Sequence, residues 1–223
     1  MPETTITVQG RFSAFYPAER ATVAVTVGLQ GPKRDPVFAA TTTSAESVKQ
    51  RIVALHSPTD GPVTWWSSES IQVWTSRPHN QDGKIMPEVF HARVGFSVKF
   101  SDFGAMSRWI ESVVTVDGVA VSGISWDLTE ARKTAATAEV RSRAVKDAAT
   151  KAAVYASAIG LGSVSAVAIS DPGMLGDNVN ASGGIGPVAY SRAAAPPSGG
   201  PALSFTPEDI EISTTVDCRF VAS

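Results

Sequence analysis

A long alanine-rich segment between about Thr129 and Ile159 constrains the fold of this chain more than any other feature. Thr129 is a residue type that commonly caps the start of a helix, and Gly160 is the type that commonly follows the end of one. Together they predict a single helix over residues 129–159. Small and apolar residues recur along it at helical spacing, namely Ala131, Ala135, Ala138, Val145, Ala148, Ala152, Tyr155 and Ile159. Such a stripe permits close packing against a sheet or another helix.

The sequence on both sides of this helix alternates between polar and apolar residues in several short segments. Strict alternation is typical of strands with one buried face, and turn residues mark their ends. The expected strands are Thr5 to Gln9, Ala21 to Val27, Val63 to Thr75, Glu88 to Phe100, Val119 to Asp127, Ser163 to Ser170 and Asp209 to Val221. Strands and helices in this order predict an α+β fold with antiparallel sheet packed against helices.

Two shorter helices are also expected. The first is capped by Arg34 or Asp35 and has Pro36 at its first position. Its apolar face contains Val37, Ala40, Ser44, Val48, Ile52 and Leu55. The second is capped by Asp102 and ends before Asp117. We expect both helices to cover the sheet.

Val63 to Thr75 and Glu88 to Phe100 are separated by turn-forming residues at 77–83, which favours an antiparallel hairpin. In the second strand the predicted core face is Phe90, Ala92, Val94, Phe96, Val98 and Phe100. In the first strand, a period of two places Trp65 opposite Trp66, with Trp74 on the Trp66 side. At least one of these tryptophans should therefore be part of the core.

Residues 171–206 form a long irregular insert that is rich in glycine, proline and alanine and poor in charge. Loops of this length are uncommon in compact domains and are usually functional or mobile. Its composition favours a flexible excursion over a second domain, with ordering at a subunit contact as the alternative. We therefore expect one domain over residues 1–223.

Charge and cysteine content exclude several classes of protein. The formal net charge is only -2, so there is no overall attraction to nucleic acid or anionic lipid. Cys218 is the single cysteine, which excludes an intramolecular disulfide and favours a buried, inert thiol.

No apolar run reaches the roughly 20 residues that cross a bilayer, and the first residues lack a signal-peptide pattern. We expect a soluble cytoplasmic protein without a nucleic-acid partner or a transmembrane segment.

Sequence motifs for catalysis are absent. No Gly-x-Ser-x-Gly pentapeptide occurs, and the glycine cluster at 183–186 lacks the residues of a phosphate-binding loop. No catalytic, cofactor-binding or metal-binding residue is therefore predicted. His79 and His91 could meet across the hairpin, with Glu88 and Asp82 nearby, which keeps open a metal or proton-transfer site beside the simpler interpretation of exposed polar residues.

The three hairpin tryptophans, Trp65, Trp66 and Trp74, are candidates for an interaction or ligand surface. Indole rings can stack on sugars or bases, and exposed apolar patches commonly mark contacts between proteins. An interface explains them better than a catalytic cleft does.

The order of elements and several local patterns resemble the SIMPL-domain family of bacterial proteins. The resemblance rests on Ile6-Thr7-Val8-Gln9-Gly10, on the helical segments Arg141 to Ala152 and Tyr155 to Gly162, and on the final strand after Phe205 to Ile210. It implies an α+β fold and homo-oligomeric assembly, and it supplies no catalytic residues. Because relatives include periplasmic and outer-membrane-associated proteins, it also implies an envelope location as the alternative to the cytoplasm.

Three functional hypotheses follow. The first is a non-enzymatic, self-associating structural or interaction protein. Its candidate contacts are the long helix, the sheet edges, which readily recruit another chain, and the 171–206 insert. The second is a small-ligand-binding module that uses the aromatic patch. The third is an enzyme with an unrecognised site assembled from groups such as His79, Glu88 and His91.

Overall fold

The computed structural model describes residues 3–78, 86–175 and 205–223. Within these residues the chain forms helices and antiparallel sheets, which confirms the predicted α+β fold. In chain order the elements are β1 (Thr4–Tyr16), β2 (Arg20–Gly31), α1 (Arg34–Val53), β3 (Val63–Ser68), β4 (Gln72–Ser76), β5 (Val89–Phe100), α2 (Phe103–Val113), β6 (Val119–Asp127), α3 (Glu130–Ala158), β7 (Val164–Ser170) and β8 (Ile210–Ala222).

The chain divides into two compact units. The first contains Met1–Pro17, Thr129–Gly199 and Asp209–Ser223, and the second contains Ala18–Leu128 and Gly200–Glu208. A single domain over residues 1–223 stays a prediction. Most of the predicted insert at 171–206 lies outside the described residues.

The sheet of the first unit has the strand order β1-β8-β7, and both pairings are antiparallel. β1 and β8 pair along their whole length, from Thr4 opposite Ala222 to Tyr16 opposite Ile210. Alternate residues of both strands are buried and form a core with α3, as the polar and apolar alternation predicts. The buried set from the strands is Ile6, Val8, Val216, Cys218, Phe220 and Ala222.

α3 begins and ends where the sequence predicts. The hydroxyl of Thr129 accepts a hydrogen bond from the backbone N–H of Arg132 at 3.2 Å. Gly160 follows the helix with φ of +80°, a left-handed conformation that a residue with a Cβ rarely adopts. These two residues set the ends of the helix.

The buried stripe of α3 differs from the predicted one. It consists of residues spaced by four, Ala136, Val140, Ala144, Ala148, Ala152 and Ala156. Rows with this spacing are inclined to the helix axis, so the buried stripe winds slowly around the helix. The expected stripe has the wrong phase at most of its positions, since Ala131, Ala135, Ala138, Tyr155 and Ile159 are exposed. Val154 is also exposed.

Gly10 allows α3 to approach β1 closely. A Cβ at this position would lie 2.0 Å from the carbonyl oxygen of Ala144 and 2.9 Å from the Cβ of Ala148. A side chain there would therefore displace the helix backbone. Glycine in the strand and alanine in the helix together set the distance between the two layers.

The second unit contains a larger antiparallel sheet covered by α1 and α2. Its strand order is β3-β5-β2-β6, and β4 also pairs with β5. The predicted core face of β5 is confirmed from Ala92 to Phe100, where alternate residues are buried. Four of them, Val94, Phe96, Val98 and Phe100, pack with the buried valines of β2 and with Met106, Trp109 and Ile110 of α2.

The predicted strand Val63 to Thr75 is in fact two strands, β3 and β4, separated by Glu69–Ile71. Both pair antiparallel with β5, so the hairpin itself is confirmed. The three-residue break changes which side chains share a face. Trp66 lies opposite the buried Val98, whereas Trp74 lies opposite His91 on the other face. The prediction that Trp74 shares the face of Trp66 is therefore wrong.

α1 begins at Arg34, and its capping position is Lys33, which makes no side-chain capping bond. The predicted cap at Arg34 or Asp35 is wrong, and Pro36 is the third helical residue. Proline is tolerated throughout the first turn because its missing N–H would have no partner within the helix. The start of α1 is thus specified by proline without a capping side chain.

The buried face of α1 contains Thr41, whereas Ala40, which the helical spacing predicts on this face, is exposed. The Thr41 hydroxyl donates to the carbonyl oxygen of Val37 at 2.8 Å, so this polar group is satisfied within the helix. The predicted cap of α2 is confirmed, because the Asp102 carboxylate accepts a hydrogen bond from the backbone N–H of Ala105 at 3.0 Å.

Among the described residues, the helices are too short or too polar to cross a membrane.

Candidate functional site

The three hairpin tryptophans, Trp65, Trp66 and Trp74, lie in different surroundings. Trp66 is partly buried and packs against the core, as expected for at least one of them. Trp65 and Trp74 are exposed on the opposite face, where Trp65 lies opposite Lys99 and Trp74 opposite His91. Lys99 and His91 are eight residues apart on one strand, which corresponds to about 26 Å. The three side chains therefore do not form one stacking platform.

His91 makes two local contacts. Its ring stacks on Trp74 with centroids 5.1 Å apart and planes inclined by 8°. Its Nε2 lies 2.7 Å from the hydroxyl oxygen of Ser76. Cross-strand contacts of this kind stabilise the β4–β5 pairing, which accounts for the position of His91 without a catalytic role.

Of the other groups proposed to join His91, the structure describes only Glu88, which is engaged elsewhere. Glu88 makes an ion pair with Arg77 at 2.9 Å across the hairpin, with both side chains exposed. His79 and Asp82 lie outside the described residues. In the part of the chain that the structure describes, no group of three or more His, Cys, Asp or Glu side chains is placed to hold a metal ion.

Cys218 lies in the core of the first unit, between the sheet and α3. Burial raises the pKa of its thiol, and the neighbouring Asp217 carboxylate raises it further. Both effects disfavour the thiolate, which is the reactive form. The predicted burial of this side chain is confirmed.

The outer edge of β1 is covered by two charged side chains of α3. The backbone N–H of Arg11 donates to the Asp147 carboxylate at 2.9 Å, and the Lys151 ammonium donates to the carbonyl oxygen of Gln9 at 3.0 Å. Residues two apart in a strand direct their backbone groups to the same edge. Lys151 also pairs with Asp147 at 2.6 Å, so the two side chains form one clamp on this edge.

The pKa values of two side chains in the first unit, Asp147 and Tyr16, are shifted by their surroundings. The hydrogen bond from Lys151, together with that from the Arg11 N–H, lowers the pKa of Asp147. The carboxylate is therefore charged when it holds the β1 edge. At the end of β1, desolvation raises the pKa of Tyr16, and its hydroxyl donates to the Glu139 carboxylate at 3.3 Å.

The other edge of the same sheet is formed by β7, and it has a different character. Within the described ranges, β7 pairs with β8 alone. Its seven residues include no charged side chain and no proline. Val167 is 56% exposed at a register irregularity between Ala166 and Ala168, and Ile169 is 54% exposed although it lies opposite the buried Cys218. As far as the described residues show, the β7 edge is thus unpaired and apolar.

Sequence reasoning placed a strand at Ser163 to Ser170 but did not identify it as an interaction surface. The signal that could have found it is the uncharged run Val164–Ser170, since charged residues or proline usually protect an edge strand. The pattern alone does not say whether a strand is central or at an edge. That information comes from the pairing with β8, which is distant in sequence.

The described residues define an α+β protein whose antiparallel sheets carry helices on one face, with β7 as an edge strand that pairs only with β8 among these residues. A sequence model for the SIMPL family, described as a protein of unknown function (DUF541), matches residues 6–220. The chain belongs to the SIMPL family, which confirms the resemblance noted in the sequence. A search of curated proteins gives no match.

Proposed function

We propose that this chain is a non-enzymatic structural or interaction protein that associates with copies of itself through the outer edge of β7. The observation that carries the proposal is the open edge with the exposed side chains of Val167 and Ile169. An unprotected edge offers a row of backbone donors and acceptors that a strand from another chain can satisfy.

The occupant proposed for this edge is a second β7. Antiparallel pairing of two identical strands gives a two-fold symmetric contact, in which each copy uses the same surface. Burying a half-exposed valine or isoleucine is worth about 1 kcal/mol, so the four side chains of such a contact supply about 4 kcal/mol. Backbone hydrogen bonds add to this, whereas lost motion opposes it. The expected association is therefore dependent on concentration.

Comparison with the β1 edge supports the assignment of β7 as the associating edge. Its backbone groups at Gln9 and Arg11 are already bonded to Lys151 and Asp147. A strand that approached this edge would have to displace two charged groups. Association through β7 requires no such exchange.

Size-exclusion chromatography with light scattering over a wide concentration range tests the proposal. We expect the average mass to rise above that of the monomer, and the double variant Val167→Lys with Ile169→Lys to remain monomeric. Val114→Lys is the matched control, because Val114 is 47% exposed and lies in the other unit. A wild-type chain that is monomeric at every concentration, or a double variant that associates like the control, would overturn the proposal.

The two other hypotheses have less support. A ligand module built on Trp65, Trp66 and Trp74 would need these side chains together, and they lie apart. An enzyme built on His79, Glu88 and His91 would need a free Glu88, which is paired with Arg77. The cytoplasmic location stays a prediction from the sequence, with the cell envelope as its alternative.

A further inference from the structure

The face of the larger sheet that α1 and α2 leave uncovered carries two exposed tryptophans along β5. Trp65 is 49% exposed and lies opposite Lys99, and Trp74 is 44% exposed and lies opposite His91. Because side chains alternate along a strand, Lys99 and His91 lie on the face opposite to the buried row from Ala92 to Phe100. The two indole rings therefore border the ends of one strip of surface, about 26 Å long.

A carboxylate lies at the middle of this strip. Glu69 is in the break between β3 and β4, and its backbone N–H donates to the carbonyl oxygen of Gly95 at 2.8 Å. Gly95 is midway between His91 and Lys99 on β5. A Cβ at Gly95 would lie 2.5 Å from the Oε2 atom of Glu69, so the absence of a side chain there lets the carboxylate lie against the sheet. Glu69 is exposed and makes no ion pair with any described residue, so its oxygens can accept from a ligand.

Hydroxyl groups and a guanidinium occupy the rest of the strip. The Arg93 guanidinium donates to the Thr26 hydroxyl at 3.2 Å, and the Thr26 and Ser122 hydroxyl oxygens are 3.3 Å apart. Ser67 and Ser97 lie directly opposite each other on the same face. A guanidinium has five N–H donors, so Arg93 keeps donors for a ligand beyond this one bond. The strip between the tryptophans is therefore polar and offers both donors and acceptors.

The length and the charges of the strip restrict the ligands that fit it. A small molecule cannot touch both indole rings, whereas an extended polymer can. A nucleic acid would bring its phosphates along the whole strip, where the Glu69 carboxylate would repel them. A neutral sugar ring has an apolar C–H face that packs on an indole ring, and its hydroxyls both donate and accept hydrogen bonds. A neutral glycan chain therefore matches the rings and the polar groups together.

We propose that this strip binds an extended, β-linked neutral glycan that runs along β5. Sugar rings towards the two ends of the bound segment stack on Trp65 and Trp74. Between them, one sugar hydroxyl donates to the Glu69 carboxylate and another accepts from the Arg93 guanidinium, and such charge-assisted hydrogen bonds are the stronger ones. This role differs from a small-ligand module, since no single sugar contacts both rings. It also leaves the β7 edge free.

Nuclear magnetic resonance of the full-length chain, labelled with nitrogen-15, tests the proposal with cellohexaose and chitohexaose, which are both neutral and extended. The five tryptophans give five indole N–H signals, and the variants Trp65→Phe and Trp74→Phe identify the two signals from the strip. We expect at least one hexasaccharide to shift both signals with a single dissociation constant, because one chain contacts both rings. The corresponding disaccharides should bind about tenfold more weakly, because they lose one of two linked contacts.

Single substitutions test the residues separately. Trp65→Ala and Trp74→Ala should each weaken hexasaccharide binding by about tenfold, because each removes one stacking contact. Glu69→Ala should also weaken it by about tenfold, because it removes a charge-assisted hydrogen bond. Phe15→Ala is the matched control, since Phe15 is an aromatic side chain of the first unit that is 65% exposed, and it should leave the affinity unchanged.

Failure of both hexasaccharides to shift the two indole signals would overturn the proposal. A shift of one signal alone, equal affinity for the disaccharides, or an unchanged affinity in Glu69→Ala would overturn it as well. An oligothymidylate of similar length should not bind, and a shift of both signals by this probe without a response to either glycan would identify a nucleic-acid site instead. None of these results bears on association through β7.

Discussion

The two outer edges of the β1-β8-β7 sheet differ in how they are protected. At β1, Asp147 and Lys151 of α3 bond to the backbone of Arg11 and Gln9. At β7, no residue is charged, and Val167 and Ile169 are exposed. One helix therefore covers the β1 edge, whereas no described residue pairs with the outer edge of β7. On the proposed function, the clamp at β1 blocks that edge and directs association to β7.

The largest expected effect comes from moving α3 away from β1 with Gly10→Ala. Because the new Cβ would lie 2.0 Å from the carbonyl oxygen of Ala144, the helix and the strand must separate. We expect a loss of about 3 kcal/mol or more in the free energy of unfolding, measured by urea denaturation. Gly123→Ala is the control, since a Cβ there meets nothing within 4 Å. Equal stability of the two variants would show that the close approach at Gly10 is unimportant.

A smaller effect is expected when the clamp on β1 is removed by Asp147→Ala together with Lys151→Ala. The N–H of Arg11 and the carbonyl oxygen of Gln9 then turn to water, so the loss of stability should be about 1 kcal/mol. Hydrogen exchange of the Arg11 amide should become faster. The opened edge should also raise the average mass in light scattering. An unchanged Arg11 exchange rate would mean that the clamp does not protect this edge.

The smallest effect is the pH dependence of the same clamp. Contacts with Lys151 and the Arg11 N–H lower the pKa of Asp147 below its ordinary value of 3.8. The stabilisation is therefore fully present above about pH 3.8 and is lost as pH falls through the lower pKa of the folded protein. The difference in stability between the wild type and Asp147→Asn should be larger at neutral pH than at pH values below that pKa. A difference that does not change with pH would contradict the role given to the charged carboxylate.

Local patterns in the sequence predicted most of the helices and strands. Polar and apolar alternation, helix-capping residues and glycines that end helices all act over a few residues. Thr129 and Gly160 gave the ends of α3, and Asp102 gave the start of α2. The phase of the buried stripe on α3 was wrong because it depends on how the helix crosses the sheet. Alanines occur on several sides of this helix, so composition does not select one of them.

The features that matter for function depend on contacts between residues distant in the chain. The side of Trp74 was predicted wrongly because the break at Glu69–Ile71 shifts the alternation between β3 and β4. The open edge of β7 follows from its pairing with β8, and the clamp on β1 joins residues more than 130 positions apart. A single sequence carries no local signal for such pairings.

Hydrogen exchange measured at low and high protein concentration tests the contrast between the two edges most directly. We predict that the β7 amides that β8 does not bond exchange more slowly as concentration rises. The Arg11 amide, which is bonded to Asp147, should exchange at the same rate throughout. Slower exchange at β1 with no change at β7, or no dependence on concentration at either strand, would contradict the assignment of β7 as the associating edge.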